Sequence, residues 1–184
     1  ASLIRLANWK GDSPLIDPFC GSGTIAIEAC LIAQNIAPGF NRDFVSEEWN
    51  IMPPNIYDEL RDEADRMADY DKEIEVYASD IDPEMVEIAK RNAEEVGLGD
   101  IIQFNVKDVN TLTIDSEGPV ALVGNPPYGE RIGDREEVEE MYRYIGSLMK
   151  QHPYLSTYIL TSNKEFEYLV NRKATKRRKL FNGY

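Results

Sequence analysis

The fold is decided by Leu15-Ile-Asp-Pro-Phe-Cys-Gly-Ser-Gly23, which is followed by a run of apolar residues from Thr24 to Gln34. The apolar pair Leu15-Ile16 predicts a short buried strand, and the two glycines that follow predict a tight turn. The run from Thr24 is apolar nearly all round, as in a helix that is buried against a sheet. This strand, turn and helix are typical of the opening unit of an α/β fold.

Outward from this unit, strand-like and helix-like segments alternate, which predicts a mostly parallel, twisted sheet with helices on both faces. Further strands are expected at 74–79, 101–106, 120–123 and 157–160, and helical stripes at 55–70, 82–97, 138–149 and 166–170. The clearest boundaries belong to one helix, in which Asp82 is a typical N-cap, Pro83 the first helical residue and Gly97 the residue just past the end. Residues 40–54 predict a loop.

The composition indicates a single globular domain without a membrane span or disulfides. A length of 184 residues suits one domain, predicted over 1–184, and 42% hydrophobic residues is ordinary for a globular protein. No apolar run is long enough to cross a membrane, and no secretion signal is visible. The two cysteines, Cys20 and Cys30, exclude a disulfide framework and a Cys-rich zinc site, so we expect buried thiols and a cytoplasmic location.

Charge is distributed unevenly along the chain. The formal net charge is −13, and acidic residues dominate positions 43–95. Six basic residues crowd the C-terminal stretch: Arg172, Lys173, Lys176, Arg177, Arg178 and Lys179. This stretch is either a solvated tail or a contact for phosphates. Because nucleic-acid affinity depends on Lys and Arg that neutralise phosphates, we expect this domain alone to bind nucleic acid weakly.

Glycines and carboxylates follow the predicted strands where a ligand would bind. In open α/β sheets, ligands lie at the carboxyl ends of the strands, near the point where strand order reverses. Gly21 and Gly23 would let a ligand approach the backbone closely, with a helix N-terminus behind them. Asp17 suits the ammonium group of a methionine moiety.

Three other residues are placed to recognise a nucleoside. Asp80 ends the second predicted strand, where a carboxylate can accept hydrogen bonds from both ribose hydroxyls, and Ile81 could pack on an adenine face. Asp108 follows the third strand and could accept a hydrogen bond from the adenine amino group. These residues predict a site for S-adenosyl-L-methionine (SAM).

A nicotinamide cofactor is the alternative, because Gly21-x-Gly23-x-x-Ala26 also fits the dinucleotide fingerprint. That fingerprint requires an acidic residue about 20 positions later, whereas Asp80 lies 57 residues after Gly23. We therefore favour SAM, chiefly because of the motif that follows the fourth strand.

That motif is Asn125-Pro126-Pro127-Tyr128, and it carries the predicted chemistry. The exocyclic amino nitrogen of a base is a poor nucleophile, because its lone pair is delocalised into the ring. Acceptors on its hydrogens favour a tetrahedral nitrogen and the positive charge that develops during methyl transfer. The Asn125 side chain and the Pro126 carbonyl can supply them, the two prolines stiffen the turn, and Tyr128 can stack on an extruded base. No metal is required.

These motifs resemble a known family. Asp17 to Ala29 and Gly124-Asn-Pro-Pro-Tyr-Gly-Glu-Arg131 are similar to the THUMP-associated RNA methyltransferases. Bacterial 23S ribosomal RNA guanine-N2 methyltransferases, also described as N6-adenine-specific DNA methylases, are the group most similar to this chain. The resemblance implies a Rossmann-like class I SAM methyltransferase fold, with seven strands of which one is antiparallel. It also implies that Phe19 joins Asp17, Gly21 and Gly23 in the first SAM motif.

The same resemblance implies parts that these 184 residues lack. The family carries an N-terminal RNA-binding region, which would supply most of the affinity for ribosomal RNA. Asn182-Gly183 is a strong hairpin signal, so the last, antiparallel strand is expected to be missing. We therefore interpret the chain as a fragment. Arg131, in the Gly-Glu-Arg extension of the motif, is a weaker candidate for an RNA contact.

Other functions remain open at this stage. The same loop could hold adenine N6 in RNA or DNA, or the amide of a protein glutamine. The basic stretch and the Gly-Glu-Arg extension favour a nucleic acid over a protein. From other classes, an NAD-dependent oxidoreductase and a non-catalytic RNA-binding module are the alternatives.

Overall fold

The structure, a computed structural model, describes residues 2–127 and 134–180. Its helices and strands alternate along most of the chain. The α-helices are α1 (Ser2–Ala7), α2 (Thr24–Ala33), α3 (Ile56–Met67), α4 (Pro83–Glu95), α5 (Asp134–Gln151) and α6 (Phe166–Leu169). The strands are β1 (Leu15–Asp17), β2 (Val76–Asp80), β3 (Ile102–Val106), β4 (Val120–Gly124) and β5 (Leu155–Ile159). Two short 3₁₀ helices cover Val45–Glu48 and Val109–Thr111.

The five strands form one parallel sheet in the order β3-β2-β1-β4-β5. The central strand, β1, is only three residues long and completely buried. Strand order reverses beside β1, because β2 and β3 lie on one side of it and β4 and β5 on the other. The predicted Rossmann-like class I fold is confirmed. Asn182 and Gly183, on which the hairpin prediction rests, lie outside the described residues.

Helices cover both faces of the sheet. One core cluster joins α1, α2 and α4 to the sheet through small side chains such as Ala29, Cys30, Ala89 and Ala93. On the other face, α5 and α6 pack through Val138, Tyr142, Ile145 and Leu169. Small residues let α2 and α4 approach the sheet closely. Because the strands are parallel, the loops before these two helices lie at the same edge of the sheet, where the strands end.

Helix α4 shows how local sequence sets the boundaries. The Asp82 side chain accepts a hydrogen bond from the Glu84 backbone N–H at 2.8 Å, Pro83 is the first helical residue, and Gly97 has φ +74° beyond the end. All three features were predicted. Each satisfies or removes a backbone group that a helix terminus would leave without a partner.

Other elements differ from the predictions. Helix α1 was missed because six residues are too short for an apolar period to show, although Ile4 is buried. Strand β5 begins at Leu155, two residues before its predicted start. Helix α3 is amphipathic, yet none of its residues is fully buried, so it packs loosely beside α2. Its link to α2 includes a hydrogen bond from the Asn35 side chain to the Met67 carbonyl at 2.8 Å.

Candidate cofactor and catalytic site

The carboxyl ends of β1, β2 and β4 bring the predicted site residues to one edge of the sheet. Asp17 is the last residue of β1 and pairs in register with Ala78 of β2, two residues before Asp80. On the other side of β1, Ile16 pairs with Leu122 of β4, which ends at Gly124 just before Asn125. The two motifs predicted from sequence therefore flank the same central strand.

Strand β2 holds the glycine turn in place. The Gly21 N–H donates a hydrogen bond to Asp80 Oδ2 at 2.9 Å, and the Cys20 N–H donates to the Ser79 carbonyl at 2.9 Å. Gly21 has φ +49°, and a Cβ built there would have no atom within 4 Å. The backbone at Gly21 thus borders open space, as close approach by a ligand requires.

Gly23 serves a different purpose from Gly21. It has φ +85°, and a Cβ built there would lie 3.0 Å from the Cβ of Ala89 in α4. The Asn92 side chain of α4 also donates to the Ser22 carbonyl at 2.8 Å. Gly23 therefore allows the start of α2 to pack against α4, and this packing holds the glycine turn on the side that faces α4.

Asp17 is completely buried and only partly hydrogen-bonded. Its Oδ1 accepts a hydrogen bond from the Phe19 N–H at 3.3 Å, while Oδ2 has no partner among the described residues. Burial raises the pKa of Asp17 to about 7; the Phe19 hydrogen bond lowers this pKa, and the charge of Asp80 raises it. A buried carboxylate oxygen without a donor is costly, so this position fits the ammonium group of a ligand.

The nucleoside-recognition candidates lie at the carboxyl ends of β2 and β3, where Asp80 ends β2, Ile81 follows it and Asp108 lies two residues beyond β3. Both Asp80 oxygens accept backbone hydrogen bonds, Oδ2 from Gly21 and Oδ1 from Asp82 at 3.1 Å. Ile81 is 68% exposed, so its side chain is available to an adenine face. The Asp108 side chain accepts from the Asn110 N–H at 2.9 Å and caps the 3₁₀ helix. The Lys107 N–H also donates to the Asp80 carbonyl at 2.9 Å, which ties the two loops together.

The catalytic candidates directly follow β4. Asn125 is exposed, Pro126 is buried and Pro127 is exposed. The Leu160 N–H donates to the Gly124 carbonyl at 3.0 Å, so β5 supports the residue before Asn125. Tyr128, the fourth member of the motif, lies outside the described residues, as does Arg131.

Gly124 is a site residue that sequence reasoning missed. A Cβ built on it would lie 2.9 Å from Cδ2 of the Phe19 ring, so Phe19 packs directly over the strand that carries Asn125. This contact joins the glycine turn to the catalytic motif. A glycine directly before Asn-Pro-Pro-Tyr was the available signal, but sequence alone did not show what would pack on it.

We expect Gly124→Ala to destabilise the chain by about 1–3 kcal/mol, because the added methyl group must displace a packed ring. Urea unfolding would measure this loss. Gly118→Ala is the matched control, since a Cβ there would approach only the Ser116 Oγ, at 3.9 Å. Equal stability of the two variants would contradict the proposed close packing of Phe19 on Gly124.

Neither the Cys20 thiol nor the cavity beside Ile16 forms part of this candidate site. Burial raises the pKa of Cys20 to about 12, and the charges of Asp17 and Asp80 add to this, so its thiol is a packing group. Cys30 is likewise buried, as predicted. A cavity of about 510 Å³ opens on the α5 face of the sheet, where Ile16, Tyr77 and Leu112 line it. Its lining includes neither Asp17 nor Asn125.

The described ranges contain neither a metal-binding cluster nor a membrane-spanning helix. Among residues 2–127 and 134–180, His, Cys, Asp and Glu side chains form no group of three that could hold a metal ion. None of the helices in these ranges has the length and apolar character needed to span a membrane.

Comparison with known proteins identifies a family over the whole chain. The sequence profile of UPF0020, described as an RMKL-like methyltransferase domain, matches residues 1–184. YpsC of Bacillus subtilis, a predicted RNA methyltransferase, is 55% identical over 184 residues. Ribosomal RNA large subunit methyltransferase K/L of Shewanella baltica is 39% identical over 189 residues. This chain is covered completely in both cases, but it spans only 48% and 26% of those relatives.

Solved structures agree with this assignment. A predicted N6-adenine-specific DNA methylase from Listeria monocytogenes superposes with a TM-score of 0.93 at 48% identity, covering 98% of this chain and 47% of that protein. SMU.472, a predicted methyltransferase in complex with SAH, gives a TM-score of 0.93 at 43% identity, covering 99% of this chain and 48% of that protein.

Proposed function

Because the chain belongs to the UPF0020 family of RMKL-like methyltransferase domains, we propose that it methylates an exocyclic amino group of a base in RNA. SAM is the methyl donor. The proposed target is N2 of guanine in 23S ribosomal RNA. The relatives are longer than this chain, and we propose that their additional sequence contributes much of the affinity for RNA.

One observation carries the proposal: Asp17 ends β1, Asn125 directly follows the neighbouring strand β4, and Phe19 packs on Gly124 between them. A cofactor held at the glycine turn would therefore lie beside the Asn-Pro-Pro motif. This placement favours direct transfer between a bound cofactor and a substrate amine, because the reacting groups must lie close together and in line.

The residues at the edge fit SAM as a cofactor. The open space at Gly21 would admit the methionine moiety, and the buried Asp17 Oδ2, which has no partner among the described residues, is proposed to accept a hydrogen bond from its ammonium group. Asp80, Ile81 and Asp108 are proposed to hold the ribose and the adenine. When bound, SAM supplies an electrophilic methyl group on its sulfonium centre.

The motif after β4 is proposed to activate the amine. The Asn125 side-chain oxygen and the Pro126 carbonyl would accept hydrogen bonds from the two amino hydrogens, so the nitrogen lone pair turns towards the methyl group. Pro126 is buried, its ring fixes φ and the following Pro127 restricts its ψ, so the Pro126 carbonyl is confined to a narrow range of directions. Tyr128 follows directly in sequence and is proposed to stack on the extruded base.

Nucleoside analysis tests the target. We expect ribosomal RNA from cells that lack the gene to lose N2-methylguanosine at one position, and we expect the intact gene to restore it. Mass spectrometry of digested 23S RNA, compared with 16S RNA from the same cells, would measure this. Loss of N6-methyladenosine instead would transfer the proposal to adenine, while unchanged levels of both nucleosides would contradict it.

A further inference from the structure

We infer that residues 172–179, here called the basic segment, form a contact surface for the phosphate backbone of RNA beside the catalytic motif. This inference rests on the proposed function and adds the direction from which the substrate approaches. It also addresses the net charge of −13, which is unexpected in an enzyme that binds a polyanion.

The basic segment concentrates positive charge in an otherwise acidic chain. It holds six of the 20 Lys and Arg residues and no acidic residue. All of its residues are exposed. Helix α5 carries the exposed acids Glu136, Glu137 and Glu140, and its exposed Arg135 and Arg143 both pair with Glu139. The densest run of positive charge on this side is therefore the basic segment.

Glu167 of α6 fixes the path of the basic segment. Its Oε1 accepts hydrogen bonds from the Ala174 N–H at 3.1 Å and from Arg177 Nε at 2.7 Å, and its Oε2 lies 2.6 Å from an Arg177 Nη2. The hydrogen bond from Arg177 lowers the pKa of Glu167, and the Ala174 amide lowers it further. One carboxylate, only 24% exposed, therefore folds the segment back on α6.

The packing of α6 places the start of this segment on the same face of the sheet as the core cluster that Phe19 contacts. Leu169 and Val170 belong to a core cluster that also includes Val109 and contacts Phe19, the ring that covers Gly124. A Cβ built on Gly146 of α5 would lie 2.5 Å from the Val170 carbonyl oxygen, so the chain leaves α6 in close contact with α5. Arg172 follows Val170 by two residues, which limits their separation to about 7 Å.

The opposite side of the domain repels RNA. Helix α3 exposes Asp58, Glu59, Asp62, Glu63 and Asp65. It is attached to α2, on the other face of the sheet from α5 and α6. A polyanion is therefore attracted to the basic segment beside α6 and repelled from the face that carries α3.

Charge variants of the 184-residue chain test this inference. The test variant combines Lys173→Gln, Lys176→Gln and Arg178→Gln. The control combines Lys10→Gln, Arg66→Gln and Arg91→Gln, which removes the same charge from exposed positions elsewhere. The probe is a fluorescein-labelled RNA hairpin, titrated by fluorescence anisotropy at several salt concentrations. Transfer of a radioactive methyl group from SAM to 23S RNA is measured in parallel.

We expect the test variant to bind at least roughly tenfold more weakly at low salt, and its slope of log K against log salt to fall by about 2, as expected for three lost phosphate contacts. The control should change little. Lys173→Arg, Lys176→Arg and Arg178→Lys together should retain binding. Equal loss in test and control, or no RNA binding by the parent chain at low salt, would overturn the inference. If binding follows the expected pattern and the parent transfers no methyl group even at RNA concentrations that saturate its binding, the proposed function fails and the inference stands.

Discussion

Asn125→Ala should slow methyl transfer by about 10²- to 10³-fold, while the affinity for SAM changes little. The magnitude is that found when one group that stabilises developing charge is removed from an active site. Asn125 lies beyond the end of β4, whereas the hydrogen bonds that hold the glycine turn come from Asp80 and Ser79 of β2 and from Asn92 of α4. The substitution therefore removes an acceptor for the substrate amine without altering the predicted cofactor site.

Two variants make this result specific. Asn125→Asp keeps an oxygen acceptor and should retain more activity than Asn125→Ala. Asn105→Ala removes an exposed asparagine near the end of β3 and should behave like the parent chain. Single-turnover transfer and calorimetry with SAM would separate the rate from the binding. Turnover of Asn125→Ala equal to that of the parent would refute the catalytic assignment.

Asp17→Asn should remove a pH dependence from the stability of the chain. Burial raises the pKa of Asp17 from 3.8 to about 7 in the folded state. Between these values the folded chain holds a proton that the unfolded chain has released, so stability falls as pH rises and the contribution is lost above about pH 7. A shift of this size corresponds to roughly 4 kcal/mol. Urea unfolding at intervals from about pH 5 to 8 would measure the difference between variant and parent.

The same substitution should weaken SAM binding. A cationic ligand favours ionised Asp17, so the parent should bind SAM more tightly as pH rises towards 7. The Asp17→Asn variant should bind SAM at least tenfold more weakly, because hydrogen bonds to charged groups contribute about 1.5–3 kcal/mol. Its SAM affinity should not rise with pH as that of the parent does. Calorimetry with SAM measures both effects, and NAD titrated under the same conditions should give no binding.

Asp100→Asn serves as the control, since Asp100 is exposed in the loop before β3. Its stability and SAM affinity should vary with pH as those of the parent do. A stability profile of Asp17→Asn parallel to that of the parent would show that the carboxyl does not titrate in this range. Tight SAM binding by that variant would exclude Asp17 as the ammonium contact.

Much of the fold could be predicted because local sequence determines it. Asp82, Pro83 and Gly97 set the limits of α4, and the apolar residues after Gly23 indicate a helix buried on a parallel sheet. Order along the chain then placed Asp17, Asp80 and Asn125 after strands, where parallel pairing brings them to one edge.

The rest depended on contacts between distant segments. The complete burial of Asp17 results from β2 and β4 pairing on either side of β1, and no local pattern records that. The packing of Phe19 on Gly124 joins residues 105 positions apart. Likewise, a basic run in the sequence does not reveal that Glu167 folds it back on α6.

The short central strand has a consequence for how the chain folds. Leu15 of β1 pairs with Val76 and with Ala121, which lie 61 and 106 positions later. At ribosomal rates of about 5–20 residues per second, the second partner is synthesised about 5–20 s after Leu15. Until then the nascent segment around β1 and α2 exposes apolar surface that β4 covers in the folded sheet, and closing such long loops is slow. The glycine turn is thus translated before β4 but completed only after it, and the apolar surface around it is exposed to aggregation in the interval.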